Sequence, residues 1–452
     1  MNATERMAEF IVTTRLERIP DAVIASAKRA ILDTLGVTVA GASEPVGRTI
    51  VEYVRGMGAA GDATILAAGL KTSPPLAALA NGAQGHALDF DDSNWSLNGH
   101  ASVGVLPAVL AQAEAQGASG GEALEAYVIG FEVSSKLGAG MNMGLYYNGW
   151  HPTAALGAMG ATAAAARLRG LDVERTRVAL GCAASHASGI RANFGTMMKP
   201  MHAGLAAESG VRSAALAAAG ISANRQVLEA PSGFGDTFSG AGKHRIGEAV
   251  EGLGRPFVLE SPGNNIKPYP CCMSAHAAVD TLRDLMAGSG FAAEDVERID
   301  VELPEPNVLN LSYHQPKTGL EGKFSGEYIL SRLMVDGELR LSTFTDAAVS
   351  DSHIQGLMKR IHVRVAENLE WAQGTGRPAL VTVRTRDGRT LQKRRQGSRG
   401  NAAWPLTDEE LRAKFRDCAG ARLGPVKTEA VIEQLAGLEK LADIRTLISL
   451  LA

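Results

Sequence analysis

Four short segments of the sequence bring together side chains that can move protons or bind anions. The first, ALDFDDSNWSLNGHASVGVLPA (87–108), contains Asp89, Asp91, Asp92 and His100. A carboxylate beside an imidazole can orient a general base, and paired carboxylates can bind a cation. Acidic residues before a helix also cap free backbone N–H groups, so the segment is open to a catalytic, a metal-binding and a capping interpretation.

The second segment, YYNGWHPTAALGA (146–158), places His151 directly before Pro152. Proline fits the first turn of a helix, so His151 is expected at a helix start. The positive end of the helix dipole disfavours an imidazolium there, and a neutral imidazole can act as a general base. The alternative is a capping or packing histidine, with Trp150 as a core aromatic.

The third segment, GIRANFGTMMKPMHAGLAAESGVRSA (189–214), combines glycines with four basic side chains: Arg191, Lys199, His202 and Arg212. Lysine and arginine bind carboxylates, arginine in a bidentate way. The alternative is that Arg191 and Lys199 form ion pairs with acids such as Glu208 or Asp92, because buried cations are usually paired.

The fourth segment, NNIKPYPCCMSAHAAVD (264–280), contains Lys267, Tyr269, Cys272 and His276 at a point where the composition changes. Such changes mark domain boundaries, and ligand sites are common there. Cys272 and His276 are spaced i, i+4, which places both on one face if the segment is helical. The alternative for Cys272 is a small hydrophobic core residue.

Helices are predicted for most of the first 260 residues. Apolar residues recur every four positions in DAVIASAKRAILDTLG (21–36), with Asp21 expected as N-cap and Gly36 as the C-terminal stop. The same periodicity predicts helices over 122–138, 153–170 and 206–220. Their many glycine and alanine residues favour helices whose backbones pack close together.

The pattern changes near SPGNNIKPYP (261–270). Alternating apolar residues then predict strands over 299–303, 361–365 and 380–385, and Asp387-Gly388 predicts a hairpin into TLQKRR. Helical patterns return over 275–288, 327–337 and the C-terminal segment. We therefore predict a mainly α fold, with a helical domain built from both chain ends (1–262 and 401–452) and a smaller α+β domain (263–400).

Composition restricts the classes of partner. Lys plus Arg is 45 and Asp plus Glu is 48, a formal net charge of −3, so nucleic acid is not expected as a partner. The four cysteines form no CxxC pair, which indicates neither a structural zinc site nor a disulfide framework. The N-terminus lacks the apolar run of a signal peptide, and the most apolar stretch (153–166) is too short to span a bilayer. We expect a soluble cytoplasmic protein without a membrane partner.

Taken together, the four segments resemble the MmgE/PrpD family. The matching motifs are HALDFDD with a following GHAS, NGWHPTA, GIRANFGTMMKPMHAG, IKPYPCCMSAH, KTGLEGKFSGEYIL (317–330) and WPLTDEELRAKF (404–415). They run in order through almost the whole chain. The resemblance implies a large helical domain made from both chain ends, a smaller α+β lid domain and a homodimer.

The family includes 2-methylcitrate dehydratase, cis-aconitate decarboxylase and iminodisuccinate epimerase, which act on small di- and tricarboxylates. The resemblance places the active-site positions of the decarboxylase on Asp89, Ser93, His100, His151, Lys199, Lys267 and Cys272. The decarboxylase has threonine at the position of Ser93 and histidine at that of Cys272, with His276 one helical turn later in this chain. The resemblance therefore favours the dehydratase and the epimerase over the decarboxylase.

The chemistry shared by the family is proton movement at a carbon next to a carboxylate. Five residues are predicted to be catalytic: His100, His151, Asp89, Lys199 and Lys267. Five others are predicted to bind the substrate: Arg191, Ser93, Tyr269, Cys272 and His276. As a hypothesis, the two catalytic imidazoles exchange protons with the substrate, Asp89 orients His100, and the cations hold the carboxylates and the developing enolate-like charge.

The leading interpretation is a hydro-lyase that acts on a small di- or tricarboxylate without a metal or organic cofactor. An isomerase that epimerises a dicarboxylate such as iminodisuccinate, by the same proton abstraction, is the close alternative. Three further alternatives are a cis-aconitate-type decarboxylase, a metal-dependent lyase based on Asp89, Asp91 and Asp92, and a helical scaffold whose cations only form ion pairs.

Overall fold

The computed structural model describes residues 1–141, 143–369 and 377–452. The chain folds into two compact units: unit 1, with Met1–Asn265 and Thr407–Ala452, and unit 2, with Ile266–Leu406. The boundaries predicted after residues 262 and 400 fall a few residues before these. Unit 1 is mainly helical and unit 2 is α+β, so the predicted mainly α fold class is confirmed.

Unit 1 consists mainly of helices. It also contains a small antiparallel sheet, which the sequence patterns did not predict. The helices are α1 (Ala3–Thr13), α2 (Asp21–Gly41), α3 (Pro45–Met57), α4 (Pro74–His86), α5 (Ala101–Gln116), α6 (Gly120–Met141), α7 (Gly144–Tyr147), α8 (Pro152–Leu168), α9 (Val173–His186), α10 (Met198–Ala218), α11 (Phe234–Ser239) and α12 (Ile246–Glu251). Strands β1 (Ala63–Ile65) and β2 (Leu70–Thr72) pair with each other. The helices predicted over 122–138, 153–170 and 206–220 correspond to α6, α8 and α10.

Unit 2 is built on a mixed four-stranded sheet. Its helices are α13 (His276–Ser289), α14 (Glu305–Asn310), α15 (Gly319–Gly322), α16 (Gly326–Asp336), α17 (Asp346–Val349) and α18 (Ser352–Met358), and its strands are β3 (Val296–Leu303), β4 (Ile361–Val365), β5 (Ala379–Thr385) and β6 (Thr390–Arg395). The strand order is β4-β3-β5-β6, and only the β3–β4 pair among these strands is parallel. The predicted strands and the Asp387-Gly388 hairpin are confirmed.

The C-terminal segment returns to unit 1. It forms α19 (Asp408–Ala436), which is broken at Gly424, and α20 (Arg445–Leu451). Helix α19 packs on α2, where Lys414 Nζ lies 2.6 Å from Asp33 Oδ1 in a buried ion pair. Lys414 also donates to the carbonyl of Phe90 at 2.8 Å. The C-terminal segment therefore holds the loop that follows α4.

Helix α2 is longer than predicted. It begins at Asp21 with Pro20 as the N-cap, and it continues through Gly36 to Gly41. A Cβ at Gly36 would lie 2.9 Å from the ring of Phe415. The expected roles of Asp21 and Gly36 as helix ends are therefore wrong, because Gly36 makes room for α19 inside a continuous helix.

Small residues bring the helix backbones of unit 1 close together. Gly82 of α4 faces Gly204 of α10, where an added Cβ would lie 2.2 Å from the carbonyl oxygen of Leu79. All residues of Pro152–Ala166 in α8 are buried, as expected for a helix that is surrounded by others. None of the helices in the described ranges has the length and apolar character that crossing a membrane requires.

We predict that Gly204→Ala destabilises the protein by about 1–3 kcal/mol, because the added methyl group forces α4 and α10 apart. Gly56→Ala is the matched control: Gly56 also lies in a helix, and no atom of the described residues lies within 4 Å of its added Cβ. Alanine there should be neutral or slightly stabilising. Thermal and urea unfolding measure both variants, and equal stability of the two would contradict the close contact.

Candidate active site

Three of the predicted side chains lie at the N-terminal ends of helices in unit 1. His100 is the N-cap of α5, and His151 is the N-cap of α8 with Pro152 after it. Lys199 lies in the first turn of α10. The positive end of a helix dipole thus lies at each of these side chains, and that arrangement favours a bound anion.

These side chains form one cluster around His86, the last residue of α4. The centroid of the His86 ring lies 4.5 Å from that of His100 and 6.1 Å from that of His151. The ring of Phe194 stands edge-on to His151 at 4.8 Å, and Lys199 Nζ lies 5.7 Å from the Phe194 centroid. Unit 1 therefore brings two predicted imidazoles and a predicted cation together.

Asp89 forms an ion pair with Lys199, with 2.6 Å between Oδ1 and Nζ. The same oxygen lies 3.7 Å from His100 Nε2, which is beyond hydrogen-bond distance. Asp89 has a φ of 51°, in the left-handed region that residues other than glycine rarely adopt. Residues held in such conformations cluster at functional sites, and the catalytic role of Asp89 stays a prediction.

The carboxylate that orients His100 is that of Asp91. Its Oδ2 lies 3.0 Å from His100 Nδ1, and the backbone carbonyl of Asp92 lies 2.7 Å from the same nitrogen. Because a carbonyl oxygen only accepts hydrogen bonds, Nδ1 carries a hydrogen and Nε2 is the nitrogen that can exchange a proton. The expectation that Asp89 orients His100 is corrected, because Asp91 occupies the hydrogen-bonding position.

Asp91 also accepts a hydrogen bond from His86, whose Nδ1 lies 2.9 Å from Oδ1. Burial alone would raise the pKa of Asp91, but the two imidazoles hold that pKa well below its usual value. Burial lowers the pKa of His86 to about 4, so this ring is neutral at physiological pH. The sequence interpretation left out His86, although it is the first residue of the HALDFDD motif.

His151 is a neutral imidazole, as expected at a helix start. Burial lowers its pKa well below the usual value, and the neighbouring imidazoles and the Lys199 ammonium act in the same direction. The backbone fixes its place, since His151 N donates to the Gly189 carbonyl at 2.9 Å and Arg191 N donates to the Gly149 carbonyl at 2.8 Å.

This backbone pairing also brings Arg191 beside the His151 segment. The guanidinium stacks on Tyr146 at 3.7 Å from the ring centroid and donates to the Tyr146 carbonyl at 3.1 Å. Its Nε is buried without a hydrogen-bond partner in the described part of the chain, where no carboxylate pairs with Arg191. Among the described residues the guanidinium is therefore held by an aromatic ring and a backbone carbonyl, not by a carboxylate.

The proposed alternative partners of the cations have other contacts. Glu208 pairs with Arg212, with 3.4 Å between Oε1 and NH1. Asp92 accepts hydrogen bonds from the Ser102 hydroxyl and from Asn264 Nδ2, and its Oδ1 lies 3.4 Å from Ser102 N in the first turn of α5. The capping interpretation of the acidic segment therefore holds for Asp92. Burial raises the pKa of this carboxyl to about 7.

Ser93 follows Asp92 in an extended segment that pairs with Asn265. Ser93 N donates to the Asn265 carbonyl at 2.9 Å, and Asn265 N donates back to the Ser93 carbonyl at 2.9 Å. Asn94 Nδ2 donates to the Gly263 carbonyl at 2.8 Å. The predicted substrate-binding serine thus lies in a loop that backbone hydrogen bonds hold in place.

Four side chains present possible metal-ligand atoms within 4.8 Å of one another: His86, Asp89, Asp91 and His100. Asp92, one of the three acids behind the metal-dependent alternative, is outside this group. The Lys199 ammonium already pairs with Asp89 at 2.6 Å, and Asp91 serves two imidazoles. A divalent cation bound by these atoms would have to replace the ion pair of Asp89 and the two imidazole contacts of Asp91.

Lys267 and Tyr269 belong to unit 2. Lys267 is 1% exposed. The Tyr269 hydroxyl donates to Asp280 Oδ1 at 2.5 Å and accepts from Arg283 at 2.8 Å, and the residue lies in the hydrophobic core of unit 2. These contacts give Tyr269 a structural role in its unit.

Cys272 and His276 are both buried in unit 2. A short 3₁₀ turn (Met273–Ala275) follows Cys272, and α13 begins only at His276. His276 Nε2 donates to the carbonyl of Cys271 at 3.1 Å. The expectation that Cys272 and His276 share a helix face is therefore wrong, because Cys272 precedes the helix.

We predict that Asp92→Asn changes the pH dependence of stability. Burial raises the pKa of Asp92 from 3.8 to about 7, so the proton is held more tightly in the folded state, and this contribution to stability is lost as the pH rises through that range. The asparagine amide has no proton to lose in this range. The stability of the variant should therefore rise relative to that of the wild type as the pH rises. Melting temperatures from about pH 4 to 8 test this.

Asp62→Asn, at an exposed aspartate of unit 1, is the control and should keep the pH dependence of the wild type. A pH-independent difference between Asp92→Asn and the wild type would contradict the raised pKa.

Comparisons with known proteins cover the whole chain. The family model of the MmgE/PrpD N-terminal domain matches residues 5–246, and that of the MmgE/PrpD C-terminal domain matches residues 269–439. The chain is 28% identical over 465 residues to cis-aconitate decarboxylase of Mus musculus, with 100% of this chain and 93% of that protein covered. The Homo sapiens protein of the same name is 28% identical over 468 residues (99% and 94% covered), and that of Aspergillus terreus is 27% identical over 473 residues (99% and 95% covered). Since the two family models together match most of its length, the chain belongs to the MmgE/PrpD family.

Proposed function

We propose that this protein is a lyase of the hydro-lyase type, which acts on a small di- or tricarboxylate by moving a proton at a carbon next to a carboxylate. One observation carries the proposal: in unit 1, His100 and His151 lie at two helix starts around His86, in one cluster with Lys199. Imidazoles exchange the protons, and cations stabilise the enolate-like charge that develops.

Lys199 and Arg191 are the proposed carboxylate-binding residues of unit 1. Arg191 has no carboxylate partner in the described part of the chain, and its guanidinium can bind a carboxylate with two parallel hydrogen bonds. When the substrate binds, the Lys199 ammonium would pair with a substrate carboxylate in place of Asp89. The helix N-termini add positive potential at the same cluster. Lys267 of unit 2 remains in the proposal as a further cation, supported by the family resemblance.

The two imidazoles differ in their surroundings and therefore in their proposed roles. His151 is neutral, because burial and the Lys199 ammonium lower its pKa, and a neutral imidazole can accept a proton from carbon. His100 has Asp91 at Nδ1 and Asp89 near Nε2, surroundings suited to a group that donates a proton to a leaving hydroxyl. Elimination of water needs a base and an acid together, and this pair provides both.

Decarboxylation is the second candidate, and the whole-length similarity to proteins named cis-aconitate decarboxylase supports it. Loss of CO2 leaves a carbanion that needs only one proton donor, a role His100 could fill. Cys272 weighs against this reaction, because the resemblance implies a histidine at that position in the decarboxylase. Epimerisation uses the same base, with a second group that delivers a proton to the opposite face.

We expect the purified protein to convert one of four compounds in D2O, followed by NMR: citrate, 2-methylcitrate, cis-aconitate or iminodisuccinate. Gain or loss of water identifies a hydro-lyase, loss of a carboxyl carbon as CO2 a decarboxylase, and deuterium in an unchanged skeleton an epimerase. Exhaustive chelation should leave the activity intact, since no proposed step uses a metal ion. If the protein converts none of the four, the proposed function is wrong.

We expect His151→Ala to lower kcat by about 10²–10⁴-fold, the usual contribution of a positioned base. Lys199→Ala should raise KM by about 10–100-fold, which corresponds to the loss of a charge-assisted hydrogen bond. Steady-state kinetics on the substrate found above measure both effects. Lys243→Ala, at an exposed lysine of unit 1, is the control and should match the wild type. A scaffold whose cations only form ion pairs predicts no change in either variant.

A further inference from the structure

The imidazoles of His151 and His202 meet through one nitrogen of each ring. Nδ1 of His202, on α10, lies 3.0 Å from Nδ1 of His151, and both side chains are buried. If both nitrogens carried a hydrogen, the two hydrogens would repel each other at this distance. If neither did, the two lone pairs would repel each other. A single hydrogen therefore lies between them, and the protonation states of the two rings are coupled.

The backbone of Gly189 positions His151 and passes close to the ring of His202. Gly189 accepts the hydrogen bond from His151 N at 2.9 Å and has a φ of 97°. A Cβ at Gly189 would lie 3.4 Å from His202 Cγ and 2.5 Å from Ala154 Cβ. In this conformation an added Cβ would clash with Ala154, so only glycine lets the backbone reach His151 N at this place.

We propose that His202 is a positioning residue that takes up the charge when His151 exchanges a proton with the substrate. The inference rests on the proposed function and extends it to a residue that was not among the predicted site residues. His202 acts through His151 and does not itself touch the reacting carbon.

Two proton movements are coupled in this step. In the resting pair both rings are neutral, His151 holds the shared hydrogen on Nδ1, and its Nε2 bears a lone pair. Nε2 accepts the proton from carbon, the electron pair of the C–H bond stays on the substrate, and the shared hydrogen moves to His202 Nδ1. His151 is then neutral with a hydrogen on Nε2, and His202 is an imidazolium. The same movements in reverse return the proton, so no oxidant, reductant or co-reactant is needed.

The charges around the pair favour this direction. Besides burial, the Lys199 ammonium of α10 opposes a positive charge on His151, and so would His86 of α4, His202 of α10 and His100 at the start of α5 in their protonated forms. Besides burial, Lys199 opposes a positive charge on His202. Phe194, which packs against His151, is uncharged. Transfer of the shared hydrogen to His202 therefore removes the positive charge from His151, the ring that lies near both His86 and His202.

His202→Asn tests the inference on the substrate that the wild type converts, with cis-aconitate as the first probe. The asparagine amide can hydrogen-bond near the position of Nδ1 but cannot take up a proton. We expect kcat to fall by about 10²-fold with little change in KM. The acidic limb of the kcat/KM profile should move to lower pH, because His151 alone must then carry the charge. His186→Asn, at a half-buried histidine of α9 that contacts Ser213, is the matched control and should keep the wild-type profile.

A wild-type kcat and pH profile in His202→Asn would overturn the inference. Parallel losses of activity and melting temperature in His202→Asn and His202→Ala, with the acidic limb unmoved, would show a purely structural role and overturn it equally.

A second measurement needs no turnover. In protein labelled with ¹⁵N at histidine, the Nδ1 signals of His151 and His202 should titrate together, and His202→Asn should change the His151 signal. Independent titration of the two rings would overturn the shared proton even in an active enzyme. Coupled titration without conversion of any tested acid would support the shared proton and contradict the proposed function, so the two failures are distinguishable.

Discussion

The backbone contact between α4 and α10 is the constraint on which the cluster in unit 1 depends. Helix α4 ends at His86, and Lys199 is the second residue of α10. Where the helices cross, Gly82 and Gly204 leave no room for a side chain. A larger residue there would separate His86 from the first turn of α10. The abundance of small residues thus has a chemical consequence, because it lets side chains from separate helices reach one another.

A second constraint is the burial of charge in the loop after α4. Taking a carboxylate out of water is costly unless hydrogen bonds compensate it. Asp91 has two imidazole donors, Asp89 has the Lys199 ammonium, and Lys414 from the C-terminal segment holds the intervening carbonyl of Phe90. His86, Lys199 and Lys414 come from helices outside the loop, so the loop is ordered largely by its surroundings.

The cluster also shows how one type of side chain can take different roles. The ring of His86 lies near the rings of His100 and His151. His151 in turn contacts His202 through the Nδ1 atoms of the two rings. Asp91 binds His86 and His100 and makes Nδ1 the donor in each, whereas His151 and His202 meet without a carboxylate between them. Proton exchange at physiological pH depends on such differences, because an imidazole changes its charge in response to small changes in its surroundings.

The sequence by itself determined the local structure and the family. The periodicities of α6, α8 and β3, the hairpin at Asp387-Gly388 and the helix start at His151 could be predicted, because spacing along the chain dictates which side chains share a face. The motifs also identified residues that the structure brings together, including His100, His151 and Lys199. Only the tertiary structure decided that Asp91 holds His100, that Gly36 lies inside a helix, and that His202 faces His151. Each of these depends on which atoms of distant residues meet when the helices pack, and in a loop such as 87–100 no periodicity says which way neighbouring carboxylates point.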